Sequence, residues 1–205
     1  MITILDYGLG NIASIANMIK KVGGKSIITS DINEIAKAEK LILPGVGAFK
    51  EGFKNLNEGG YINILNKKVL EDKIPILGIC LGMQLLTRKS EEGNSKGLAW
   101  IEADTVKFDI SKLSARHKIP HMGWSDINIK KNKKLLGSSA QKSRYYFVHS
   151  YHVACDNISD IMCTANYGYE FVCGVQKGNI LGVQFHPEKS HKFGMNLIRN
   201  FINNF

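Results

Sequence analysis

No stretch of the 205-residue chain is long and apolar enough to cross a bilayer. The best candidate, Ile74 to Leu86, covers 13 residues and is broken by Pro75, Gly78 and Gly82, short of the roughly 20 residues that a spanning helix needs. The opening, MITILDYGLGN, has no basic segment ahead of its apolar run and no cleavage pattern, so it does not read as a signal peptide. No CxxC pair occurs among Cys80, Cys155, Cys163 and Cys173, which removes a zinc knuckle and a thioredoxin-like motif. These absences predict a cytoplasmic protein with free thiols and no membrane partner.

Arginine is also scarce. The net charge of +9 comes from 27 Lys+Arg against 18 Asp+Glu, which raises the question of nucleic acid. Only Arg88, Arg116, Arg144 and Arg199 are arginines, and the lysines are scattered. Bidentate readout of bases and phosphates favours Arg, so no nucleic-acid partner is expected. Apolar residues at 44% and charged residues at 22% exclude a disordered or fibrous chain. The length suits a single domain over residues 1–205.

What is present is an alternation of strand and helix. Met1–Leu5, Ser26–Thr29, Lys40–Leu43 and Pro75–Ile79 read as strands. Between them run helical patterns at Ile12, Ile15, Ala16 and Ile19, and from the Pro44-Gly45-Val46-Gly47 turn to Leu70, interrupted at Gly59-Gly60. A βαβ series of this kind predicts a parallel sheet covered by helices. From Ile101 to Phe185 the runs are short and alternating, which predicts antiparallel additions and a return to the central sheet. Ser190 reads as the N-cap of a last helix carrying Phe193, Leu197, Ile198 and Phe201. The expected fold is α/β: a mostly parallel central sheet flanked by helices, flavodoxin-like in three layers, with antiparallel strands added.

The chemistry concentrates at three points. Gly78-Ile79-Cys80-Leu81-Gly82 follows an apolar strand and leads into a helical run, Leu81 to Arg88. This is the spacing of a nucleophile elbow with Cys in place of Ser, where small residues two before and two after permit the sharp strand-to-helix turn. A thiol at such a helix start falls from about 8.5 into the range of about 3.5–7.5. A buried core cysteine would also fit the local sequence. His186 ends the run Gly182-Val183-Gln184-Phe185 at a strand's C-terminal edge, and Glu188 follows at a spacing that lets a carboxylate orient the imidazole. A turn histidine beside a helix-start acid is the simpler alternative. Pro44-Gly45-Val46-Gly47 is a loop whose glycines let an N–H turn inward, as an oxyanion site requires.

Taken in order, LILPGVGAF, PILGICLGMQLL and GVQFHPEKS resemble the class I, triad-type glutamine amidotransferases. Ile119-Pro120-His121-Met122-Gly123-Trp124, Tyr146-Phe147-Val148-His149-Ser150-Tyr151 and the opening Asp6-Tyr7-Gly8-Leu9-Gly10-Asn11 narrow the resemblance to the glutaminase subunits of imidazole glycerol phosphate synthases. It runs over essentially the whole chain. The resemblance implies that Cys80 attacks the side-chain amide of L-glutamine, His186 protonates the departing ammonia and Glu188 orients His186. It makes Val46 and Leu81 the oxyanion donors, and Gly47, Gln84, Glu92, Ser150 and Tyr151 the residues that hold glutamine. Ammonia would pass to a (βα)8-barrel cyclase, bound as a heterodimer through Asn11, Pro120, Met122, Trp124 and Lys189, in histidine biosynthesis. No cofactor and no metal are implied.

Some positions depart from that pattern, among them Ser125 after Gly-Trp, Ala99-Trp100 after Leu98, His152, and Thr87-Arg88-Lys89. A paralogous subunit that feeds ammonia to a surface-sugar synthase is therefore the alternative partner assignment. His117 and His121 read as exposed loop histidines or partner contacts, and His149 and His152 lack further metal ligands at fitting spacing. A rival enzyme class comes from Gly8-Leu9-Gly10-Asn11-Ile12-Ala13, which fits G-x-G-x-x-A with Asp31 about 20 residues on. That is a dinucleotide fingerprint, of an NAD-dependent oxidoreductase or a nucleotide-sensing module, although Asp6-Tyr7 intervenes between strand and first glycine.

Overall fold

A computed structural model of the chain describes residues 1–131, 133–137 and 143–205. Its first half runs β1 (Ile2–Leu5), α1 (Ile12–Lys21), β2 (Ser26–Thr29), α2 (Ile32–Ala36), β3 (Leu41–Leu43), α3 (Phe49–Glu58), α4 (Tyr61–Asn66), β4 (Ile76–Ile79) and α5 (Leu81–Leu85). The second half adds the short β5 (Lys89–Ser90) and β6 (Ser95–Lys96), then β7 (Ala103–Lys107), β8 (His121–Ile129), α6 (Lys133–Leu136), β9 (Arg144–His149) and β10 (Tyr151–Cys155). It closes with β11 (Ile161–Tyr167), β12 (Tyr169–Lys177), β13 (Ile180–Val183) and α7 (His191–Asn204).

The strands β2-β1-β3-β4-β13 lie side by side and parallel. Beyond β13 the sheet turns antiparallel through β12, β10 and β7. β11 branches from β12 and carries β8 and β9 with it. The parallel core with antiparallel additions is thus present, and the additions are its larger part.

Burial explains why the parallel strands are short and apolar. All four residues of β4 are buried, because its two faces support separate cores: Ile76 packs on one side, Leu77 and Ile79 on the other. On one face α1 supplies Ile15 and Ile19, and α7 supplies Leu197, Ile198 and Phe201. On the opposite face α3 and α4 supply Phe49, Leu56 and Leu65 against Leu5, Leu41 and Leu43. Each such side chain, fully withdrawn from water, contributes about 1.5–3 kcal/mol. The result is three layers: helices, sheet, helices.

α5 ends at Leu85, three residues before the expected Arg88. The cause is a returning segment that takes the carbonyls a longer helix would use. Leu98 N–H bonds to Leu85 O, Trp100 N–H to Leu86 O, Ala99 N–H to Thr87 O and Gly97 N–H to Arg88 O.

Backbone crowding fixes the turn from β4 into α5. A Cβ on Gly78 would stand 2.8 Å from the Gly82 carbonyl, and one on Gly82 would collide with the Leu43 carbonyl oxygen. Gly82→Ala is therefore expected to lower unfolding stability by about 2–3 kcal/mol, since the neighbour is backbone and cannot yield. Gly23, in open space, should cost only about 1 kcal/mol as Gly23→Ala, from its left-handed φ alone. Urea denaturation of the two variants measures the contrast.

Candidate active site

Cys80 lies between β4 and α5 at φ 54°, ψ −110°, a left-handed conformation that costs a non-glycine residue on the order of 1–3 kcal/mol. The strain is held by neighbours on both sides: Cys80 N–H donates to Val183 O at 2.8 Å, and Gln84 N–H to Cys80 O at 3.2 Å. The side chain is only 7% exposed. It opens onto a cavity of about 260 Å³ lined by residues from four separate segments: Val46 and Gly47; Cys80, Leu81 and Gln84; Val148 to Tyr151; and His186. Glu92 and Pro120 complete the lining. All five residues expected to hold glutamine, Gly47, Gln84, Glu92, Ser150 and Tyr151, therefore face one space with Cys80 and His186.

β13 delivers His186 to this cavity. Its Nδ1 pairs with Glu188 Oε1 at 2.8 Å, both side chains 1% exposed. The other ring nitrogen, Nε2, is buried with no hydrogen-bond partner. Burial by itself depresses the imidazole, but the Cys80 sulfur and the Glu188 carboxylate outweigh it and push His186 up to about 10. At neutral pH the ring therefore carries two N–H groups, one bonded to Glu188 and the other stabilised by the Cys80 sulfur beside it without an aligned hydrogen bond.

Ser190, expected as the side-chain cap of α7, makes no cap bond. Its hydroxyl donates to His186 O at 2.6 Å and accepts from Tyr146 N–H at 3.0 Å, and His186 N–H donates to Tyr146 O at 2.9 Å. The residue clamps the His186 turn to β9.

The loop after β3 is anchored by the opening segment. Tyr7 donates its hydroxyl to Pro44 O at 2.6 Å, and Glu92 accepts from Phe49 N–H at 2.8 Å where the loop enters α3. Leu81 N–H, one of the expected oxyanion donors, is occupied by Gly45 O at 3.4 Å. A trans peptide points its N–H opposite its carbonyl, so Val46 N–H is turned away from Leu81 N–H. Both expected donors flank the cavity, but they do not converge in this conformation.

The glycine fingerprint has a packing explanation. A Cβ on Gly10 would stand 2.9 Å from Pro44 Cβ and 3.2 Å from Gly45 N, so Gly10 is small to admit the loop. Asp31 caps α2 by accepting from Asn33 N–H at 2.8 Å. Neither needs a dinucleotide.

On β8, Met122 is 61% and Trp124 36% exposed. Trp124 stacks on His191 at 5.5 Å with the rings 1° from parallel, and Lys189 lies over the Tyr146 ring at 5.7 Å. Asn11 precedes α1, which packs on the Pro187–Lys189 turn. Pro120, expected on the partner face, lines the cavity. His121 differs from its sequence reading as an exposed histidine: it is 2% exposed and bonded to His149, which is 6% exposed and lines the cavity. Gln184 was not singled out by sequence, yet its Nε2 donates to Cys80 Sγ at 3.7 Å and its Oε1 accepts from Gln84. Among the described residues no group of three or more His, Cys, Asp or Glu is placed to hold a metal.

Residues 3–205 match the family described as Glutamine amidotransferase class-I. The chain belongs to that family. It is 58% identical over 202 residues to "Imidazole glycerol phosphate synthase subunit HisH 2" of Methanococcus maripaludis, covering 98% of each chain. It is 45% identical to the protein of the same name from Pseudomonas aeruginosa, again with 98% of each covered. It is 43% identical to "Imidazole glycerol phosphate synthase subunit HisH" of Leptospira borgpetersenii over 98% of each. Among solved structures, one titled "Crystal structure of glutamine amidotransferase" superposes with a TM-score of 0.75 at 18% identity, covering 98% of this chain and 96% of that one. PurLQS from Thermotoga maritima superposes with a TM-score of 0.74 at 17% identity, covering 99% and 97%. These two likenesses establish the shared amidotransferase fold.

Glu188→Gln should lower the His186 pKa below about 10, read from imidazole NMR shifts against pH, because it removes one of the two groups that raise it. The folded pKa lies above the unfolded value of about 6.5. The stabilisation is thus fully present below pH ~6.5 and lost as pH climbs through ~10. The stability gap between wild type and variant should narrow over that interval.

Proposed function

We propose that the chain is the glutaminase subunit of an imidazole glycerol phosphate synthase, a single amidotransferase domain of the cytoplasm, with Cys80, His186 and Glu188 as its catalytic triad. The observation that carries the triad is that His186 shares one cavity with Cys80, its Nδ1 held by Glu188 at 2.8 Å and its ring kept protonated by the Cys80 sulfur and the Glu188 carboxylate. The pathway rests on relatives 43–58% identical over nearly the full length that bear that subunit's name.

The chemistry follows from these positions. The Cys80 thiolate attacks the amide carbon of glutamine, and the carbonyl oxygen becomes an oxyanion. His186 passes its Nε2 proton to the amide nitrogen, which leaves as ammonia, and a γ-glutamyl thioester remains. Water then attacks the thioester, giving its proton to His186, and glutamate departs with the thiolate restored. Glu188 keeps the imidazole in the orientation and protonation state that both steps need. Gln84 spends both amide hydrogens, on Tyr151 O and Gln184 Oε1, which leaves its Oε1 as an acceptor for the donor groups of glutamine.

Ammonia passes to a (βα)8-barrel cyclase, and the face around Met122, Trp124, Lys189 and Asn11 receives it. The Gly45–Val46 peptide makes this subunit conditional. With Gly45 O on Leu81 N–H and Val46 N–H turned away, the oxyanion site lacks both donors, and a peptide flip supplies the two N–H groups at once. One missing donor costs about 10²–10³ in rate.

Cys80→Ser should abolish glutamine hydrolysis without unfolding the chain, and 6-diazo-5-oxo-norleucine should label Cys80 alone. Peptide mapping that finds label on Cys155, Cys163 or Cys173 with Cys80 untouched refutes the assignment. Glu188→Gln should slow turnover less than His186→Ala does.

Glutamate release by the isolated chain should rise about 10²–10³-fold with saturating cyclase and cyclase substrate. Equal turnover in the two conditions would refute the peptide switch and leave the triad as a constitutive glutaminase.

A further inference from the structure

The two buried histidines beside the cavity form part of a hydrogen-bonded chain whose direction can be worked out atom by atom. His149 Nδ1 is 2.7 Å from Tyr151 O. A carbonyl only accepts, so the proton sits on Nδ1. Burial holds the ring neutral, its pKa well below the usual histidine range, so His149 Nε2 is an acceptor. His121 Nδ1 lies 3.1 Å away and must donate to it. Burial also pushes His121 down to about 4, so its Nε2 accepts in turn, from the Ser125 hydroxyl at 3.0 Å. Each tautomer is dictated by the next.

The His121 ring cannot easily turn away from this arrangement. It is stacked between Tyr167, at 4.1 Å and 28°, and Phe147, at 5.0 Å and 25°. At the other end, Tyr151 O also accepts from Gln84 Nε2 at 3.0 Å. The chain therefore begins on β8, the strand that exposes Met122 and Trp124, and ends on a carbonyl shared with the side chain proposed to hold glutamine.

We infer that His121 and His149 are positioning residues for glutamine: a neutral relay of fixed tautomers from Ser125 that holds Tyr151 and Gln84 in the binding geometry. The inference rests on the glutaminase reading of the cavity. The relay touches neither the thiolate nor the His186 proton, so its loss acts on substrate binding and much less on the chemical steps.

The test pairs two substitutions that differ only in the donor. His121→Phe keeps an aromatic ring between Tyr167 and Phe147 but leaves His149 Nε2 without a partner. His121→Asn places an amide N–H close to the position of Nδ1. In the complex with the cyclase, His121→Phe should raise the glutamine KM about tenfold, the consequence of one unsatisfied buried group, with kcat within about threefold. His121→Asn should return KM to within about threefold of wild type. Ser125→Ala, a milder change at a half-buried position, should raise KM about two- to threefold and provides the measurement if His121→Phe does not fold. Nitrogen NMR of the wild-type chain at pH 7 should show both imidazoles as neutral Nδ1–H tautomers, a reading that needs no activity. An Nε2–H tautomer at either ring, or a KM in His121→Phe equal to wild type, overturns the relay while leaving the triad intact. A wild-type complex that releases no glutamate overturns the glutaminase reading, and the positioning role with it.

Discussion

The geometry of the cavity depends on how closely the β4–α5 turn is pressed against the end of β3. Cys80 adopts a left-handed backbone because β4, bonded on both sides in the parallel sheet, must turn directly into α5. That turn has no room to relax: Gly78 faces the Gly82 carbonyl, Gly82 faces the Leu43 carbonyl, and a Cβ on Gly45 would stand 2.8 Å from Gly82 N. Three glycines on three segments are thus one packing solution. It presents the sulfur to the cavity at a strand's C-terminal edge, and it brings the Pro44–Gly47 loop against the N–H of Leu81. The nucleophile and the loop beside it cannot be placed independently.

The charge at the centre has a similar economy. An imidazolium 1% exposed would ordinarily be lost to deprotonation. Here one carboxylate at 2.8 Å and one sulfur hold the proton in place, and neither partner is free to move. Glu188 is as buried as the ring it holds, and Ser190 fixes the backbone of His186 to β9. The three neighbouring imidazoles, His121, His149 and His152, are all held low by burial. In the proposed mechanism, one cationic ring among neutral ones concentrates proton transfer at His186.

Much of this was legible in the sequence because local rules carried it. The elbow glycines, the strand-ending His186 and the Glu188 spacing each state a local geometry, and parallel strands announce themselves by apolar runs of four. What escaped depended on contacts between distant segments. His121 and His149 meet only when β8 pairs with β9, Gln184 reaches Gln84 and Cys80 only when β13 joins β4, and nothing in HMGW or FVHS marks those rings as buried. Ser190 has the composition of a helix cap, yet a tertiary bond to Tyr146 claimed its hydroxyl. Gly10 matches a phosphate-binding glycine because both situations demand the same missing Cβ; only the fold shows that Pro44 occupies the space.

In the proposed function, the Gly45–Val46 peptide ties these constraints to the control of activity. Leu81 N–H must have an acceptor, since an orphaned donor in a cavity wall costs about 1–3 kcal/mol. In the absence of substrate Gly45 O supplies one, but at 3.4 Å, well beyond the 2.9–3.0 Å of a good N–H···O bond. The loop's own anchors, Tyr7 on Pro44 O and Glu92 on Phe49 N–H, lie outside the peptide that must turn. Gly45 and Gly47 flank Val46, and Gly47 already holds φ at +121°, so rotation meets no Cβ at either neighbour. A flip therefore breaks one long bond and keeps both anchors. The two orientations differ by little more than that bond, while the oxyanion donor gained is worth about 3–4 kcal/mol in the transition state. On the proposed function, a partner seated beside this loop therefore has only a small energy difference to overcome in changing which orientation prevails.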